Sequence, residues 1–147
     1  KFEMQAQILV LCAALGIASA RLQAVGVKGK LMCGDKPLSG ATVKLWELDT
    51  WPDPDDMLAE VTTDSQGNFQ LQGTEDEFTT ISAAVKFYHR CNNRGMFNIP
   101  NICKRKITYD IPKSYISNGG TPRKLYDMGT INMEAKMRNE DTECIGK

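Results

Sequence analysis

The sequence predicts an all-β protein: an antiparallel β-sandwich of about seven strands, with room for one short helical turn. Three observations carry this. Six segments alternate apolar and polar residues with a period of two, which sends successive side chains to opposite faces of a strand. Compact turn-forming stretches such as "CGDKPLSG" (33–40) and "DSQG" (64–67) separate them, as in meanders and sandwiches. No stretch sustains the 3.6-residue repeat of an amphipathic helix.

The strands follow in order. "VGVKGKLMC" (25–33) sets Val27, Leu31 and Cys33 against Lys28 and Lys30. "ATVKLWEL" (41–48) sets Ala41, Val43 and Leu45 against Thr42, Lys44 and Trp46. "NFQLQG" (68–73) sets Phe69 and Leu71 against Gln70 and Gln72. "ISAAVKFYH" (81–89) aligns Ile81, Ala83, Val85, Phe87 and His89 opposite Ser82, Lys86, Tyr88 and Arg90 just beyond it. "CKRKITYDI" (103–111) places Ile107, Tyr109 and Ile111 opposite Lys104, Lys106, Thr108 and Asp110. "TINMEAKM" (130–137) aligns Ile131, Met133, Ala135 and Met137. Each pattern expects one buried face and one wet face. The stretch "PKSYISNGGTP" (112–122) is the crossing that has room for the helical turn.

The N-terminal stretch bears on the compartment. "ILVLCAALGIASA" (8–20) is an unbroken apolar and small-residue run ending in Ala18-Ser19-Ala20, the form of a signal-peptide core and its cleavage site. Residues 1–20 are therefore expected to be a signal peptide, with Met4 the natural start and 1–3 not native, and 21–147 a single domain. The run is too short to span a bilayer, which takes about 20 residues. The expected location is secreted and extracellular. Cys12 would leave with the signal, and the even number remaining (Cys33, Cys91, Cys103 and Cys144) is expected to form two disulfides.

Charge excludes some partners. Lys plus Arg is 18 and Asp plus Glu is 18, and removal of 1–20 takes Lys1 and Glu3 together, so the balance stays neutral. A nucleic-acid binder shows a basic excess, and none is present. If each strand reverses its predecessor, the loops at 34–40, 64–67 and 92–102 share one end with the C-terminal tail. All four cysteines then lie at that end, with Arg90, Arg94, Lys104, Arg105 and Lys106. The acidic loop at 49–56, "TEDE" at 74–77 and the loop at 112–124 take the other end, giving a neutral protein one basic and one acidic pole.

Nearly all of the chain after residue 20 resembles the nematode transthyretin-like family. The stretches that carry the resemblance are "VKGKLMCGDKPLSGATVKLWE", "DSQGNFQLQG", "FYHRC", "CKRKITYDIP" and "LYDMGTINM". It implies a secreted transthyretin-like, immunoglobulin-like sandwich and says little about a ligand. One related enzyme class, the hydroxyisourate hydrolases, uses more than one histidine, an arginine and a terminal Tyr-Arg-Gly-Ser; here His89 stands alone and the last four residues read "CIGK". Hormone carriage of the vertebrate transthyretin kind needs a tetrameric channel, and fold alone does not transmit it. No catalytic residue is assigned.

Metal and cofactor sites are not expected either. His89 and Cys91 share a strand face, but there is no Cys-x-x-Cys and no second histidine to complete a zinc set. An oxidised Cys91 is no nucleophile, and His89 reads as a structural histidine at a strand end. "DPDD" (53–56) lacks the alternating ligands of a calcium loop. Trp46 and Trp51 form either a contact surface or packing under that loop. What remains is Arg90, Arg94, Lys104, Arg105 and Lys106 beside Met96 and Phe97, cations next to apolar tips, suited to an anionic lipid headgroup or a charged protein face. The expected function is a secreted, non-catalytic binding module for a small lipophilic or anionic-lipid ligand or a cell-surface protein. The alternative is an excreted structural or host-interaction protein that engages partner proteins only. Because Cys91 ends one strand and Cys103 begins the next, the favoured disulfides are Cys91–Cys103 and Cys33–Cys144. Cys33–Cys91 with Cys103–Cys144 stays open.

Overall fold

Two sheets pack face to face around a core drawn from alternate residues of both. The computed structural model describes residues 19–49, 53–93 and 102–144. Its elements are β1 (Arg21–Cys33), β2 (Lys36–Pro37), β3 (Thr42–Glu47), β4 (Asp56–Thr62), β5 (Asn68–Glu77), β6 (Ala83–His89), β7 (Cys103–Asp110), a 3₁₀ turn (Lys113–Tyr115), β8 (Ser117–Asn118), β9 (Tyr126–Asn132) and β10 (Glu140–Cys144). In one sheet β1 is the hub, pairing with β2, β5, β8 and β9; the other runs β10-β7-β6-β3-β4. The all-β sandwich expected from the alternation is what forms, and the helical turn falls inside the crossing at 112–122.

The core follows the predicted faces. Val27, Leu31, Phe69 and Leu71 meet Val43, Leu45, Val85, Phe87 and Ile107, all buried. The Phe87 ring meets Phe69 edge-on at 5.3 Å and Tyr109 at 6.0 Å, a geometry that aromatic quadrupoles favour. The tight 64–67 connection is held by Asp64, whose carboxylate accepts from the backbone N–H of Gln66 and Asn68. Gly67 sits at φ +79°, and an added Cβ there would strike the Leu31 carbonyl. Only glycine suits that position.

Four details depart from expectation. β4 was not legible: Asp56, Met57, Glu60 and Thr62 are exposed and Leu58, Ala59 and Val61 only half-buried, as an edge strand permits. "TEDE" is strand, not loop, because β5 runs on to Glu77 opposite Arg21. The last predicted strand stops at Asn132, and a separate β10 follows in a charged stretch, where Glu143 pairs with Lys104 and Asp141 with Lys106 across the ladder. β9 runs parallel to β1, which strand-by-strand reversal allows when two strands separated by several others become neighbours.

The favoured disulfides are also corrected. The bridges are Cys33–Cys91 and Cys103–Cys144. The β6–β7 ladder ends at His89 opposite Arg105, and the chain turns at Asn92, with φ 51°, before Cys91 can continue the ladder toward Cys103. Cys91 keeps the inward parity of Phe87 and His89 and so meets Cys33 on the facing sheet. Cys103 has a direct register partner in Cys144, on a strand that carries no hydrophobic alternation. One bridge ties sheet to sheet and the other ties β10 to its neighbour.

Candidate functional site: the disulfide end and its pocket

Arg105 organises this end of the sandwich. Its position shares parity with Ile107, Tyr109 and Ile111, so its side chain turns inward and is 8% exposed. Nε and Nη2 donate to the two carboxylate oxygens of Glu140 at 2.7 and 2.6 Å. Nη1 donates to the carbonyls of Cys91 and Met133, and Nη2 also to that of Ala135. The planar fork satisfies a carboxylate and three main-chain carbonyls at once, which a lysine cannot do. The guanidinium beside Glu140 holds that carboxyl below the usual range, with the Met137 N–H assisting. Arg105 therefore leaves the expected binding set and becomes the internal tie between the end of β6, the turn after β9 and β10. Its parity was the signal in the sequence; its partner Glu140 had none, because β10 does not alternate.

His89 is 2% exposed, and its Nδ1 accepts the Cys91 N–H at 3.2 Å. Nε2 has no hydrogen-bond partner among the described residues, so the expected structural histidine is only half satisfied. Burial first, then the Arg105 charge, pushes the ring down to about 4 against the opposing Glu140. It is a neutral, enclosed imidazole near neutral pH.

The surface over this interior is an open pocket of about 550 Å³. Arg90 and Lys104 line it together with Leu38, Ser39, Tyr88 and His89. Arg90 is exposed and Lys104 half-buried, and Ile102, two residues before Lys104, is 60% exposed. Lys106 is not part of the lining; its Nζ lies 3.9 Å from Asp141. Arg94, Met96 and Phe97 lie outside the described residues, as does Trp51. Of the expected cluster the fold thus brings together Arg90 and Lys104, sets Lys106 against β10, and takes Arg105 inside.

At the opposite end Lys86 lies over the half-buried Trp46 ring at 4.4 Å and reaches Asp55 at 3.4 Å. Nearby Glu47 is 3% exposed. Burial, a hydrogen bond shared with Asp49 and the charges of Asp49 and Glu77 push it up to about 7, opposed by the Ser82 N–H. Among the described residues no group of three or more His, Cys, Asp or Glu is placed to hold a metal ion. No described helix is long and apolar enough to cross a membrane.

Comparison with known proteins agrees with this architecture. Residues 28–112 match the TTR-52 transthyretin-like family profile. Transthyretin-like protein 33 of Caenorhabditis elegans is 44% identical over 138 residues, covering 94% of this chain and 92% of that protein. Transthyretin-like protein 46 from the same organism is 40% identical, covering 97% of this chain and 78% of that protein. Transthyretin-like protein 16 is 38% identical, with coverages of 92% and 94%. On a family match across most of the sandwich and relatives aligned nearly end to end, the chain belongs to the transthyretin-like family.

Proposed function

We propose that this protein is a secreted, non-catalytic recognition module that binds at its disulfide end. The ligand it would take there is a small lipophilic molecule carrying an anionic group, such as an anionic lipid. The observation that carries this reading is the open pocket of about 550 Å³ with Arg90 and Lys104 on its wall, Lys104 following the exposed Ile102 by two residues. Cations at a pocket mouth next to an apolar tip match a charged headgroup with its hydrocarbon. The underlying framework is rigid, because two disulfides and the Arg105 contacts converge on it. A hydrolytic role has little support, since the single histidine is buried and accepts a main-chain N–H; a general base needs access to substrate and a partner to orient it. Two disulfides suit an oxidising, extracellular setting.

Flotation with anionic and neutral liposomes tests the reading. Wild type should float with anionic vesicles. Arg90→Glu with Lys104→Glu should weaken that binding at least about tenfold, since each basic residue near an anionic surface contributes about 1 kcal/mol. Wild-type protein that ignores anionic vesicles, or reversal variants that bind as well as wild type, would overturn it. Recognition of partner proteins only would then be the better account.

A further inference from the structure

The end opposite the disulfides is not uniformly acidic. From Pro112 to Leu125 the chain carries Lys113, Arg123 and Lys124 and not one Asp or Glu. This crossing folds back so that β8 pairs with β1, Asn118 opposite Gln23, and the Gly119 N–H donates to the Leu22 carbonyl at 2.8 Å. An open pocket of about 340 Å³ results, lined by Arg21 of β1, Lys113 of the 3₁₀ turn and Arg123 of the loop before β9. No carboxylate among the described residues lines it.

The rest of the lining is preorganised. Gln23, 1% exposed, donates to the Thr79 carbonyl at 2.6 Å and accepts the Ile81 N–H at 3.2 Å. Its amide is thus committed to the protein. Ser117, 8% exposed, accepts the Arg123 N–H at 2.9 Å, which anchors the arginine's backbone and leaves the hydroxyl proton free to donate. Lys124 stacks over Tyr115 at 4.3 Å and does not line the pocket. Arg21 has Glu77 as its cross-strand register partner, yet none of the three lining cations forms an ion pair within 4 Å among the described residues. Three like charges drawn together without a counter-charge repel one another, and an anion would relieve that. Two guanidinium forks, one ammonium, a hydroxyl and the Asn118 amide make a donor-rich surface matched to tetrahedral oxygens.

We propose that this pocket binds a compact dianionic oxyanion group, a phosphate monoester or sulfate, on Arg21, Lys113 and Arg123. The site is independent of the disulfide-end pocket and lies at the other pole.

The test is NMR titration of the full oxidised chain with inorganic phosphate and with sulfate, against chloride at matched ionic strength. Saturable shifts centred on Arg21, Ser117, Asn118 and Arg123 are expected with the oxyanions and not with chloride. Arg21→Gln with Lys113→Gln and Arg123→Gln should weaken the oxyanion affinity at least about tenfold. The three side chains are exposed, so the variant should fold; should it not, each single substitution is expected to weaken binding in part. Lys28→Gln with Lys44→Gln, on other surfaces, should change nothing. Vesicles containing phosphatidic acid, compared with phosphatidylcholine, distinguish a lipid headgroup from a soluble phosphate as the source. Phosphate and sulfate behaving like chloride, or a triple variant that titrates like wild type, would overturn the assignment.

Discussion

Arg105 shows how one residue's role turns on parity. Its neighbours Lys104 and Lys106 face out, while it points with Ile107 into the interior and donates to Glu140 and three carbonyls. Removing one member of a buried, hydrogen-bonded ion pair leaves the other uncompensated, so Arg105→Met should cost about 3–5 kcal/mol in denaturant unfolding. Adding Glu140→Leu should recover part of that loss; a double variant no better than the single one would show that the carbonyl contacts matter more than the pair. Two other buried groups act oppositely on pH dependence. His89 is lowered to about 4, so the unfolded chain binds its proton more readily, and the stability from the neutral ring is full above about pH 6.5 and lost as pH falls through about 4. Glu47 is raised to about 7, so its contribution is full below its ordinary 4.5 and lost as pH rises through about 7. The two slopes oppose each other between about pH 4.5 and 6.5. Glu47→Gln should therefore give a melting temperature that climbs steadily from about pH 4 to 6.5, whereas His89→Gln should give one that falls with rising pH up to about 7. Unchanged profiles would mean that neither group is held as the structure places it.

Among the elements, β6 was the most legible and the end strands the least. Five inward positions of "ISAAVKFYH" are buried as the alternation requires, but so are Ala84 and Tyr88 on the other face. The central strand of a five-stranded sheet has neighbours on both sides, and Lys44 leans over the Tyr88 ring at 5.4 Å. Lys86 is likewise no free solvated lysine, with a side chain only 16% exposed. Phe87→Ala should cost about 3–5 kcal/mol as a core truncation. Lys86→Ala should cost about 0.5–1 kcal/mol, most of it from lost contact with Trp46. Equal losses in thermal unfolding would mean a register slipped by one, which exchanges the faces. β4 and β10 escaped prediction for one physical reason. Edge strands bury little, so pairing and cross-strand charge fix them and hydrophobic period does not.

Across the whole molecule, simple strand reversal correctly collected the four cysteines and the turns at 34–40 and 64–67 at one pole. It failed where pairing depended on strands without a hydrophobic signature. The site was legible only in part: alternation placed Arg90 and Lys104 at one end but did not foretell the pocket they line, Arg105 turns inside, and the pole read as acidic has a basic corner. The central structural claim is that β6 is stapled across to the facing sheet while β10 is stapled to β7, with Arg105 joining them. Peptide mapping of the oxidised protein under non-reducing conditions tests this most directly. It should link the Cys33 peptide to Cys91 and the Cys103 peptide to Cys144. A Cys91 peptide joined to Cys103, with Cys33 joined to Cys144, would contradict it.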